Sequence, residues 1–141
     1  MENKNLFYVT DPTEQQDSFG MYVSYLVRGA EISEPISRRF REFDLLRTKL
    51  FEKYPGFWIP PLSKKKMIGN KNKEIVEERL ADLNRFCKFV SSSSVLKQSK
   101  EISLFLTNIA NCEKMMMGLP KEGYKEQLDK YKNLFELPEV Y

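Results

Sequence analysis

The hydrophobic period of this chain changes once, near Phe40, and that change limits the folds open to it. Before it, Leu6-Phe7-Tyr8-Val9-Thr10 is β-branched and aromatic, and Met21, Val23, Tyr25 and Val27 share one side of the alternating run Phe19 to Val27. Ile36 to Phe40 reads as a third strand. After it, Phe43, Leu46, Leu50 and Tyr54 step by three and four, as do Val76, Leu80, Leu83, Cys87 and Val90. A shorter helical stripe carries Ile102, Phe105, Leu106 and Ile109. Strands first and helices afterwards define an α+β domain.

Breakers place the elements more closely. Asp11-Pro12 is a turn signal after the first strand, followed by a polar stretch, Thr13 to Ser18. Arg28-Gly29-Ala30 turns the chain into the third strand, so the strands form a three-stranded antiparallel meander. Pro55-Gly56 stops the first helix. Phe57 to Leu62 holds Pro60-Pro61 and is predicted to be extended or polyproline II, and most of its apolar cluster Phe57-Trp58-Ile59 is expected to pack between helices. Ser91 to Ser94 ends the long helix. The expected architecture is this meander packed against a helical subdomain with a proline-rich loop, over residues 1–111. Residues 112–141 are expected to hold a connector, Cys112 to Gly118, and an amphipathic helix marked by Tyr124, Leu128, Tyr131 and Phe135. That helix packs back on the domain, pairs with another chain, or continues into a larger protein. There is no internal repeat.

Composition removes whole classes of chemistry. The chain has no histidine, which excludes Ser-His and Cys-His nucleophiles, imidazole zinc ligands and a histidine pH switch. Its two cysteines, Cys87 and Cys112, form no C-x-x-C; they allow one disulfide at most, and a reducing cytosol is the better expectation. With 141 residues one core suffices. No apolar run approaches the roughly 20 residues of a membrane span, and the start, MENKN, lacks a signal-peptide pattern. No constellation of catalytic or metal-binding groups emerges. The expectation is an intracellular binding domain with no cofactor, not an enzyme.

The net charge, 23 − 20 = +3, is too mild for bulk nucleic-acid binding, and no nucleic-acid partner is expected. Its distribution says more. Three of the four residues from Arg38 to Arg41 are arginine, and Lys64 to Lys73 holds five lysines and no acid. Two local basic clusters in a nearly neutral chain suggest anion binding at a defined place.

Several motifs stand in one order: Arg38-Arg39-Phe40-Arg41-Glu42-Phe43, Tyr54-Pro55-Gly56 leading to Ile59-Pro60-Pro61-Leu62, Lys64 to Lys66, Ile68-Gly69-Asn70, and Glu77-Glu78-Arg79 on the long helix. Over roughly residues 5 to 110 this order resembles the PX (phox homology) domain of sorting nexins. The resemblance implies binding of a 3-phosphorylated phosphoinositide, most often phosphatidylinositol 3-phosphate. By position, Arg39 would hold the 3-phosphate through its planar, bidentate donors. Phe40, where most relatives have tyrosine, would lie under the inositol ring. Lys66, or Lys65 in its place, would meet the 1-phosphate, and Arg79 the hydroxyls at ring positions 4 and 5.

Each residue also has a plainer reading. Arg38, Arg39 and Arg41 suit a solvated strand end, Lys64 to Lys66 a solubilising loop, and Arg79 an ion pair with Asp82. Lys64, Lys65, Met67 and Ile68 together suit a bilayer surface, with the lysines against anionic headgroups and the apolar pair inserted; Ile68 suits a cap on the long helix equally. The expected partner is a phosphoinositide-containing membrane of endosomes or vesicles, bound peripherally from the cytoplasm. Homo- or hetero-dimerisation through the C-terminal helical region would reinforce it. The alternative is a PX-like protein-interaction module with weak or no lipid binding, for which the Phe40 departure and Ser63 after Leu62, in place of a proline, leave room.

Overall fold

Strand β1, Tyr8–Asp17, pairs antiparallel with β2, Gly20–Arg28, and β2 pairs with β3, Ile36–Arg39. The three form a meander in the order β1-β2-β3. The computed structural model describes residues 6–63, 73–107 and 110–119.

Asp11-Pro12 does not end the first strand. Thr10 pairs with Leu26 and Thr13 with Ser24, so Asp11 and Pro12 together face Tyr25 alone. This is a bulge, with Asp11 at a φ of 53° and a proline where a ladder donor is not needed. The Asp11 carboxyl lies below its ordinary pKa, because Thr10 and then Arg28 hydrogen-bond it. Beyond the bulge β1 continues through Thr13 to Asp17, expected to be non-strand because those residues are polar. They pair with β2 while remaining mostly exposed, so they carry no apolar alternation.

Cross-strand pairing assigns the two faces of the sheet. Val23, Tyr25 and Val27 of β2 share the buried face with Ile36 and Arg38 of β3. Tyr22, Ser24 and Arg39 share the other, since Ser24 stands opposite Arg39. Gly29 follows β2 where the chain passes the start of the described fold: a Cβ there would lie 2.2 Å from the Leu6 carbonyl oxygen.

Helix α1, Phe40–Lys53, starts directly after β3, so Phe40 is its first residue rather than the last of a strand. The switch is made at Arg39, whose backbone N–H donates to Glu42 Oε1 at 2.9 Å, one half of a capping box. Phe43, Leu46 and Leu50 are its buried stripe. Residues 57–63 form neither helix nor strand. Arg47 of α1 holds them by donating to the carbonyls of Pro60 (2.9 Å) and Ile59 (3.0 Å). Of the apolar cluster here, Ile59 is buried and Phe57 half-buried, but Trp58 is 65% exposed, edge-on to Phe89.

Helix α2, Lys73–Ser92, buries Leu83, Phe86, Cys87 and Val90 and lies against β1. A single 3-10 turn, Leu96–Gln98, leads to α3, Lys100–Phe105, where the Ser99 hydroxyl accepts the N–H of Ile102. Helix α3 stops one residue before Leu106, shorter than the expected stripe. The expected connector is helical: α4, Cys112–Met117, buries Cys112 and Met116 against α1 and α3. Both cysteines are free thiols. At the centre Phe43 meets Phe105 edge-on at 4.9 Å, and Tyr25 meets Phe43 at 6.3 Å.

Candidate functional site

The adjacent arginines at the end of β3 have opposite fates. Arg38, on the buried face, is 3% exposed. Its guanidinium donates to the carbonyls of Phe105 (3.2 Å) and Thr107 (2.6 Å) and stands 3.7 Å from Glu42. It satisfies carbonyls left over at the end of α3 and is occupied by the fold. Arg39, one residue on, points the other way. Its guanidinium lies 3.9 Å from the centre of the Tyr22 ring and 3.4 Å from Asp17 Oδ2.

Arg79 reaches the same place from α2. Its guanidinium sits 4.2 Å from the centre of the Phe40 ring, and the carboxylate of Asp82, the partner expected for it, takes Arg85 at 2.8 Å. Two cations from different elements thus each rest on an aromatic face, which orients the guanidinium. Arg39, Phe40 and Arg79 line one cavity of about 240 Å³, together with Tyr22, Arg41 and Glu14. On the far side of Arg39 lies a wider trough of about 680 Å³, bordered by Ser24, Ser37, Asn111 and Lys114. Neither Phe40 nor Arg79 reaches it.

An inward-facing pair of guanidiniums in a pocket of this size suits a small anion with planar, multidentate acceptors. Among the described residues no group of His, Cys, Asp and Glu is placed to hold a metal ion. Of the residues expected at the site, Arg39, Phe40 and Arg79 come together. Lys64, Lys65, Lys66, Met67 and Ile68 lie outside the described residues. Tyr22, Asp17 and Glu14 escaped the sequence reading. Tyr22 stands on the non-core side of β2, where alternation marks a residue only as outward, and the acids sit in a stretch not expected to be strand.

The sequence profile of the PX domain matches residues 29–108, more than half of the chain. The chain belongs to the PX domain family. It is 34% identical over 109 residues to sorting nexin 1 of Arabidopsis thaliana, covering 70% of this chain and 27% of that protein. To sorting nexin-30 of Xenopus tropicalis it is 33% identical over 118 residues, covering 75% and 26%. To sorting nexin-18 of Mus musculus it is 32% identical over 101 residues, covering 70% and 16%. The chain therefore spans about a quarter or less of these relatives. The crystal structure of a designed CISK-PX domain superposes with a TM-score of 0.63 at 25% identity, over 72% of this chain and 97% of that one.

The PX fold accounts for the meander and the helices packed against it. PX domains of sorting nexins are phosphoinositide-binding modules that bring trafficking proteins to membranes, generally without enzymatic activity. They act peripherally, and no described helix here is long and apolar enough to cross a membrane.

Proposed function

We propose that this PX domain binds the headgroup of a 3-phosphorylated phosphoinositide, phosphatidylinositol 3-phosphate above all, and so places its protein on endosomal or vesicular membranes. The supporting observation is the convergence of Arg39 and Arg79 on one cavity floored by Phe40. Arg39 takes the 3-phosphate through two parallel N–H donors. Arg79, held on Phe40, donates to the ring hydroxyls at positions 4 and 5, where further phosphates would crowd it. Lys66 meets the 1-phosphate, and Lys64, Lys65, Met67 and Ile68 make the membrane contact; these assignments rest on sequence alone. Headgroup and loop act together: neutralising the pocket by ligand lowers the cost of bringing the apolar pair into the bilayer. Dimerisation through the region beyond residue 118 would raise avidity.

One observation favours the alternative, a protein-interaction module with a weak lipid site: Arg39 already has a carboxylate partner in Asp17. Sedimentation with vesicles containing phosphatidylinositol 3-phosphate, against vesicles with phosphatidylinositol alone, separates the two. We expect binding to the first that falls about tenfold or more in Arg39→Ala, the loss expected for a charge-assisted bidentate contact. Binding indifferent to the 3-phosphate or to Arg39 would sink the lipid reading.

A further inference from the structure

We infer that Asp17 is a built-in competitor for the phosphate, a carboxylate latch that sets the affinity of the headgroup site. The proposal rests on the lipid reading above and concerns how that site is tuned.

Asp17 is the last residue of β1 and pairs with Gly20 across a two-residue turn, Ser18-Phe19. Gly20, at a φ of 126°, lets the turn close this tightly. The two carboxylate oxygens then do different things. Oδ1 accepts the Phe19 backbone N–H at 2.8 Å and holds the turn, while Oδ2 faces Arg39 Nη1 at 3.4 Å. The first contact fixes the carboxylate in space and so fixes the second. Asp17 thereby presents Arg39 with an anion of the geometry that a phosphate oxygen would offer.

A headgroup phosphate that uses Arg39 must therefore displace Oδ2. In a two-state description Arg39 is either latched or open, and the apparent affinity is the intrinsic one multiplied by the open fraction. The pair is partly solvated, with side chains 25% and 33% exposed, so it belongs with modest ion pairs. The latch then lowers affinity by about two- to sixfold, and by the same factor for every ligand that engages Arg39. A phosphomonoester, with a charge of about −1.5 to −2 at neutral pH, is strong enough to open it.

Asp17→Asn separates the latch from the turn, because an asparagine oxygen still accepts the Phe19 N–H while the charge is gone. The measurement is calorimetric titration with soluble inositol 1,3-bisphosphate, which removes the membrane's own charge from the comparison, followed by the same variants on phosphatidylinositol 3-phosphate vesicles. Asp11→Asn, at the bulge of β1, controls for the change in net charge. We expect Asp17→Asn to tighten binding about two- to sixfold, Asp11→Asn to leave it within error, and Asp17→Asn to have no effect when Arg39 is already alanine. Wild-type binding that is unchanged or weakened by Asp17→Asn, or raised equally by Asp11→Asn, overturns the latch and leaves the lipid reading intact. Absence of binding by both wild type and Asp17→Asn overturns both.

Discussion

Arg38 and Arg39 show how much one step along a strand decides. Alternation alone puts them on opposite faces, and that was legible in the sequence. What each face meets was not: the Arg38 partners, Phe105 and Thr107, lie more than sixty positions away and offer main-chain oxygens. No side-chain pattern announces a carbonyl at the end of a six-residue helix. The two arginines should therefore fail differently. Arg38→Met leaves two carbonyls and Glu42 without their buried cation and should cost about 2–4 kcal/mol in urea denaturation. Arg39→Ala breaks a partly solvated pair and should cost less than about 1 kcal/mol while weakening headgroup binding about tenfold or more. Equal loss of stability in both variants would contradict the division between a structural and a binding arginine. The remaining site residues illustrate the same boundary. Arg79 was legible as a helix residue with a nearby acid, but its seat on Phe40 depends on α1 beginning at the very residue where β3 was expected to end.

At the scale of elements, most departures from the sequence reading have one cause, a partner element outside the segment itself. The polar end of β1 is a strand because β2 pairs with it, whatever its own composition. Helix α4 is helical and docked because Cys112 and Met116 find a surface on α1 and α3, although three successive methionines show no period. The long helix was plain from its apolar stripe, yet its attachment to the sheet is polar. Asn84 of α2 accepts the Val9 N–H and donates to the Val9 carbonyl, both at 2.9 Å. One side chain thus completes the free side of β1 as a neighbouring strand would, and a second Nδ2 contact reaches Leu80 O at 3.2 Å. Asn84→Ala should destabilise the domain by about 2 kcal/mol, since two half-buried main-chain groups lose their partner. Asn84→Asp should do no better, because the carboxylate keeps the acceptor but sets an anion against the Val9 oxygen. Chemical denaturation of both variants checks this, and retention of wild-type stability by the aspartate would show that the donor half of the pair carries no weight.

Across the whole molecule, the two cysteines report on whether α4 is an integral part of the domain. The PX profile ends at residue 108, before α4 begins, yet Cys112 is as buried as Cys87 in the long helix. Burial raises the pKa of both thiols above the ordinary value. The consequence for stability has a definite sign: a group whose folded pKa is raised contributes fully below its unfolded value of about 8.5 and loses that contribution as pH rises past it. Alkaline conditions should therefore weaken the fold, through thiols that ionise only after opening. At pH 8, alkylation of each cysteine requires opening of the element that covers it. A six-residue helix seated by two buried side chains should open more often than α2, so Cys112 should react with iodoacetamide before Cys87. Met116→Ala removes half of that seating, a loss of about 2 kcal/mol or more. It should speed the reaction of Cys112 at least tenfold while leaving Cys87 nearly unchanged, because opening of α4 alone exposes only the first thiol. Equal acceleration at both sites would mean that α4 unfolds only with the whole domain. Arg41 at the start of α1, which is ion-paired to Glu113 of α4, would then tie that helix directly to the stability of the cavity's rim.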